Sequence, residues 1–326
     1  MMLSIFWLIA GLVLILLGAD WLTDGASSVA RRLGVSDLVI GLTVVAFGTS
    51  APELVISVVS AIDGNASLAI GNNVGSNIFN ILVIIGAVAL LHPVRIRKNV
   101  MTTEIPIVVL SSLILLVMGC GPLLDGDPSR VLTRVDGILL LIFFLLFMRY
   151  TFATAHRSPD PAADPSAISS AARGRIGWLK ASALIVAGLA ALVFGGDRFV
   201  DGASSLARAI GVGDAVIGLT IVAAGTSLPE LATSIVAARK GETGMAIGNV
   251  IGSCVFNIFL ILGVSATIRP LPFGGISTAD LLVLLGASLL FWIAGWFFRR
   301  RTITRPEGAL MLLCYMAYTA WLIANV

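Results

Sequence analysis

The chain has 326 residues, 58% of them hydrophobic and 12% charged, with a formal net charge of +3. Several apolar runs approach or exceed the roughly 20 residues that cross a bilayer as helix, so the chain reads as an all-α polytopic membrane protein. This excludes a soluble enzyme, which could not hide so much apolar surface, and a membrane β-barrel, whose alternating ten-residue pattern is absent.

Ten spans are expected, over about 3–20, 36–62, 66–91, 101–119, 134–151, 177–196, 213–238, 244–266, 279–297 and 308–325. The first could pass for a signal peptide, but no Lys or Arg precedes it and it belongs to a unit that recurs later, which favours a retained helix. Cys120, Cys254 and Cys314 lie in apolar stretches without CxxC spacing or nearby histidines and read as small core residues. The longest polar stretch, His156 to Arg175, is rich in Ala, Ser, Pro and Asp and has little to bury. It divides the chain into a first five-helix unit (1–152), a cytoplasmic linker (153–176) and a second unit (177–326).

Sliding the second half over the first by 177 positions aligns Asp20–Gly86 with Asp197–Gly263 without a gap, and 39 of those 67 positions are identical. An internal duplication is therefore secure. With the N-terminus outside, inner loops hold 16 Lys and Arg residues and outer loops five. The basic residues thus set orientation, both termini are expected outside, and no nucleic-acid role follows. Five spans per unit is an odd number, so the two repeats are expected to be inverted. That is the usual plan of a secondary transporter, with broken helices and a substrate site near the midplane.

One string occurs in both repeats: Gly48-Thr49-Ser50-Ala51-Pro52-Glu53 and Gly225-Thr226-Ser227-Leu228-Pro229-Glu230. Glu53 and Glu230 fall deepest inside long apolar spans, where an ionised carboxylate costs at least a few kcal/mol unless paired. No Lys or Arg is available at similar depth, so the missing partner is most simply a bound cation; a pair of protonated structural acids is the alternative. Pro52 offers no amide hydrogen to the carbonyl of Gly48, so the span should break between Gly48 and Pro52, freeing carbonyls such as that of Ala46 to face a cavity. Thr49 and Glu53 share a helical face with Ser50 beside them, and Ala223, Thr226, Ser227 and Glu230 repeat the arrangement.

The next span adds Gly71-Asn72-Asn73-Val74-Gly75-Ser76-Asn77-Ile78-Phe79-Asn80, mirrored by Gly248-Asn249-Val250-Ile251-Gly252-Ser253-Cys254-Val255-Phe256-Asn257. Gly71, Gly75, Gly248 and Gly252 form small-residue faces for close helix contact. Ser76 and Asn80, like Ser253 and Asn257, lie one turn apart and add neutral oxygens. An all-oxygen set suits sodium, calcium or magnesium and argues against zinc, copper or iron. Two glutamates carry a charge of −2, which one Ca2+ or two Na+ neutralise alike, a physical basis for exchange.

At these residues the chain resembles the cation/calcium exchanger superfamily, in particular prokaryotic sodium/calcium exchangers. The resemblance covers both repeats and the ten-span plan. It implies that Glu53 and Glu230, with the backbone at Thr49 and Thr226, hold calcium, and that Ala46, Ser50, Ser76, Ala223, Ser227 and Ser253 help form flanking sodium sites. It also implies that the first and sixth spans slide against the rest to switch access. Some relatives, notably potassium-dependent ones, place an aspartate at the position of Asn257. Here Asn80 and Asn257 are both neutral, which leans against potassium co-transport. A sodium-driven, electrogenic calcium antiporter of the inner membrane is expected, with Na+ and Ca2+ as cargo, no cofactor, no obligatory protein partner and lipid as its surroundings. The alternative is a calcium/proton antiporter of the same superfamily, and a passive cation channel is more distant. An enzyme is not expected: Ser50 lacks the last glycine of a nucleophile elbow, and His92 and His156 lie in loops.

Overall fold

The computed structural model describes residues 2–121, 130–155, 177–209, 223–297 and 301–324. It is nearly all helix, as expected. The helices are α1 (Met2–Leu33), α2 (Asp37–Thr49), α3 (Ala51–Asp63), α4 (Ala66–Leu91), α5 (Val100–Gly119), α6 (Arg134–Thr154), α7 (Trp178–Ala209), α8 (Ala223–Thr226), α9 (Leu228–Arg239), α10 (Thr243–Ile268), α11 (Thr278–Phe297) and α12 (Arg305–Ala324). Eight of these are long and apolar enough to cross a bilayer, and α2 with α3 forms one further, bent span. The remaining span, expected over 213–238, begins in residues that lie outside those described, and so does most of the 153–176 linker.

Helices α1 and α7 are each 32 residues long, a dozen residues past the ends expected for them. Apolar content alone placed those ends at Asp20 and near Gly196. The helix continues because a strip of small side chains, among them Ala26, Ser27 and Ala30, stays buried through the charged stretch. Gly34, with φ of 67°, stops α1 in the left-handed conformation that a side chain disfavours.

Glycine recurs every seventh residue on both helices, at Gly11, Gly18 and Gly25 and at Gly188, Gly195 and Gly202. A Cβ added at Gly11 would lie 2.6 Å from the carbonyl oxygen of Gly195, at Gly18 2.7 Å from that of Gly188, and at Gly25 2.8 Å from that of Ala181. The backbones therefore touch directly, and the order of contacts makes the pair antiparallel.

The interior is built on α4 and α10, whose most apolar windows are 72% and 89% buried against 22% for α1. Helix α10 lies along α2 in the same direction: a Cβ at Gly248 would meet the Leu38 carbonyl at 2.4 Å, and one at Gly252 the Ala46 Cβ at 2.6 Å. The small-residue face is thus used on α10. For Gly71 and Gly75 the segment equivalent to α2 falls largely within 210–222, outside the described residues.

Contacts between the halves come in crosswise pairs. Two short antiparallel ribbons join β1 (Val94–Arg95) to β4 (Thr302–Ile303) and β2 (Val131–Leu132) to β3 (Leu271–Pro272). A Cβ at Gly86 would meet the Gly308 carbonyl at 2.9 Å, and one at Gly137 the Gly263 carbonyl at 2.8 Å. Ser112 and Ser288 share a hydrogen bond of 2.9 Å across α5 and α11.

One end of α1 is also held by charge. Lys240 Nζ lies 2.6 Å from Asp20 and 2.8 Å from Asp24, while the Glu242 carboxylate accepts from Ser27 and sits 3.8 Å from Arg31. Asp24 and Arg31 therefore join α1 to the segment between α9 and α10.

Because the α1–α7 contact is backbone on backbone, Gly18→Val is expected to force it open. Overpacking of this kind costs about 1–3 kcal/mol. The check is thermal unfolding of the detergent-solubilised protein followed by size-exclusion chromatography, with Gly286→Val as control, since a Cβ at Gly286 meets open space.

Candidate cation site

Four helix breaks or distortions converge on the buried centre, and each follows from sequence. Helix α2 ends at Thr49 and α3 begins at Ala51, with a bend of 47° at Ser50 and Pro52 in the first turn of α3. In the second half Ser227 interrupts α8 and α9 in the same way, with Pro229 in the first turn of α9. The break predicted between Gly48 and Pro52 is therefore present, centred on one serine in each copy. In α4 a π-helical turn starts at Asn80 (Asn80–Ile84), and in α10 one covers Asn257 (Phe256–Leu262). Such turns widen the helix locally and are frequent at functional sites.

Glu53 and Glu230 follow the breaks in the first turns of α3 and α9 and are 0% and 1% exposed. First-turn carboxylates face the positive end of the helix dipole, which favours their charge. Neither makes an ion pair with Lys or Arg among the described residues. Ser50 Oγ donates across the halves to Glu230 Oε1 at 3.1 Å. Among the described residues, both oxygens of Glu53 and Oε2 of Glu230 have no hydrogen-bond partner, and the same is true of Ser76, Ser227 and Ser253 Oγ, of Asn257 Oδ1 and of both amide atoms of Asn80. Buried polar atoms are almost always partnered, so a cluster of open oxygens around two carboxylates marks a place where something else completes them. Apart from Asn80 Nδ2 the open atoms are all oxygens, and no group of three or more His, Cys, Asp or Glu lies together among the described residues.

The structure also places the remaining predicted residues. Thr49 Oγ1 bonds its own helix at Val45 O, 3.1 Å, and donates to Asn249 Oδ1 at 3.2 Å. Thr226 Oγ1 donates to Asn72 Oδ1 at 3.4 Å. Ala46 starts the last turn before the first break, and its carbonyl is taken by the Ser50 amide at 3.0 Å. That bond closes an ordinary helical turn, so the expectation that the break frees this carbonyl is not met here. Ala223 starts the corresponding turn of α8.

Sequence reasoning passed over Asn249 and Asn72. Asn249 accepts from Thr49 and donates to Ser234 Oγ at 3.0 Å and to the Glu230 carbonyl at 3.3 Å, so it links the first break to the second glutamate. Identity of Asn72 with Asn249 and of Ser57 with Ser234 under the repeat was the available signal. Two buried glutamates outside the site were also missed. Glu104 accepts from Tyr150 at 3.0 Å, and Glu242 belongs to the charged contact on α1. Both stand near the polar ends of their helices, where sequence gives no sign of burial.

The comparisons agree with this geometry. Residues 3–153 and 180–324 match the family described as sodium/calcium exchanger protein. The chain belongs to the sodium/calcium exchanger family. Among its relatives, the putative antiporter CaxA of Alkalimonas amylolytica is 39% identical over 324 residues, 98% of each chain. The inner membrane protein YrbG of Escherichia coli is 35% identical over 326 residues, 99% of this chain and 96% of that one. The solved sodium-calcium exchanger NCX_Mj, soaked with Na+ and Ca2+, superposes with a TM-score of 0.81 at 33% identity over 98% of both chains. This exchanger is accordingly a multi-pass membrane transporter of cations and not an enzyme.

Asn249→Ala removes the bridge between Thr49 and Glu230 and leaves Ser234 and Thr49 short of a partner. Losing a buried hydrogen-bond partner costs about 1–3 kcal/mol, so calcium-dependent thermal stabilisation of the purified exchanger should need about tenfold more calcium. An unchanged calcium titration would show that the bridge does not position the glutamate.

Proposed function

We propose that this exchanger is a sodium-driven calcium antiporter working by alternating access, with one site used in turn by both ions. The observation that carries the reading is the ring of unpartnered buried oxygens around Glu53 and Glu230. Their joint charge of −2 is matched by one Ca2+ or by two Na+, so exchange leaves no net charge in hydrocarbon. Glu53 and Glu230 are the charged ligands. Thr49, Thr226 and Ala223 contribute from the backbone, Ala46 contributes the second lone pair of the carbonyl whose first accepts from the Ser50 amide, and Ser50, Ser227, Ser76, Ser253, Asn80 and Asn257 supply neutral oxygens. More than two Na+ per Ca2+ makes the cycle electrogenic. The neutral Asn80 and Asn257 support potassium independence, since a third carboxylate would be needed to balance a further cation.

Two inverted five-span repeats (1–152 and 177–326) joined by an inner linker (153–176) account for the antiparallel α1–α7 pair and for the crosswise ribbons. Sixteen Lys and Arg in inner loops against five outside support both termini facing outward. The name of the YrbG relative supports an inner-membrane location.

Two experiments test the reading. In proteoliposomes, radiolabelled calcium uptake should require internal sodium and fail with internal potassium; uptake driven by a pH gradient in sodium-free buffer would move the protein to calcium/proton exchange. Glu53→Gln and Glu230→Gln keep the volume and remove the charge, so each should reduce uptake at least about a hundredfold, the loss of a few kcal/mol of charged coordination. Both should still elute as folded protein on size exclusion. Full uptake by both variants would sink the assignment.

A further inference from the structure

Within Gly75–Asn80 and its equivalent Gly252–Asn257, the polar side chains repeat at every place but one: Asn77 in the first half stands opposite Cys254 in the second. That single difference decides how the two site asparagines are held. Asn257 Nδ2 donates to Asn77 Oδ1 at 2.9 Å, and Asn77 Nδ2 donates to the Cys254 carbonyl at 3.0 Å. The two-fold relation between the halves would run the matching bond from Asn80 Nδ2 to the side chain at 254. A thiol offers no amide oxygen there, and among the described residues neither amide atom of Asn80 has a partner, although the residue is 1% exposed.

Asn257 thus has its carboxamide oriented by a hydrogen bond from the other half, while that of Asn80 has none. A ligand that must be oriented by the ion itself gives up rotational freedom on binding, whereas a held one has already done so. The nearby difference between Asn73 and Val250 does not reach across: Asn73 Nδ2 bonds Ser57 Oγ and the Ala69 carbonyl, each at 2.7 Å, within its own half.

We infer that Cys254 is a positioning residue of the transport site, which leaves Asn80 unheld and so makes calcium affinity unequal at the two membrane faces. The inference rests on the antiport reading above. With halves running in opposite directions, exchanging their roles exchanges inside with outside. A site with full two-fold symmetry would bind equally from either face, and any inequality arises where the halves differ. Withholding one neutral hydrogen bond from one half-site corresponds to about a fivefold difference in half-saturating calcium.

The test uses everted and right-side-out membrane vesicles from cells making the full chain, with the half-saturating calcium concentration measured at each face. Wild type should show the inequality, and Cys254→Ala, which adds no hydrogen-bond acceptor at that side chain, should keep it. Asn77→Ala unties Asn257 as well and should bring the two faces together. Asn77→Cys with Cys254→Asn transposes the difference and should reverse which face is tighter. A role confined to packing would change maximal rate at both faces and leave their ratio alone. Equal half-saturation in wild type, or the wild-type ratio persisting in Asn77→Ala or in the double variant, would overturn the inference. Absence of any sodium- or proton-dependent calcium uptake in wild type would instead overturn the antiport reading on which it stands.

Discussion

Glu53 and Glu230 are both buried in an apolar protein, with no Lys or Arg paired to either among the described residues. Taken alone this is an unfavourable arrangement, because desolvating an ionised carboxylate costs several kcal/mol even after local relaxation. The surrounding structure makes sense as its consequence. Each glutamate follows a serine break and a first-turn proline, so helix-end amides point toward it. Hydroxyls and amides of α4 and α10 stand nearby with their oxygens uncommitted. A lysine inside this ring would have satisfied the charge permanently and left nothing for an ion to do.

The rest of the molecule holds that ring in two matched halves. Glycines on α10 let it lie against α2 at backbone distance, which carries Asn249 to Thr49. Ser50 of one half bonds Glu230 of the other, and Asn257 bonds Asn77. Neither half-site is complete without residues from its partner, so a shift of one half relative to the other must alter both sets of ligands together.

Much of this was legible in the sequence, for physical reasons that differ by feature. Spans read clearly because hydrocarbon requires uninterrupted apolar helix. The breaks at Ser50 and Ser227 read clearly because proline cannot donate. The duplication was visible in the strings themselves, and it singled out Glu53 and Glu230 without any structure. What escaped were features set by packing rather than by composition. The length of α1 and α7 depends on a buried strip of small residues under a charged surface, and hydropathy averages over both. The bridging role of Asn249 depends on which helix of the other half lies against it, and Asn77 gains its importance only from a neighbour 180 positions away. The Ala46 carbonyl was expected to be free because a break was expected there; the helix instead completes its turn onto Ser50 before bending.

The α1–α7 pair carries an aromatic and basic clasp at each end. Arg198 lies 5.6 Å from the ring centre of Trp7, and Arg32 lies 5.8 Å from that of Trp178. Trp7 and Arg32 are separated along α1 by about 37 Å at 1.5 Å per residue, somewhat more than the roughly 30 Å of bilayer hydrocarbon. Tryptophan and arginine settle at the headgroup level on either side, so this spacing acts as a gauge of membrane thickness. In a thinner bilayer the pair must lean to keep both clasps at the interface, and because α1 is tied to the α9–α10 turn by Lys240, the lean is passed to the helices that hold the site.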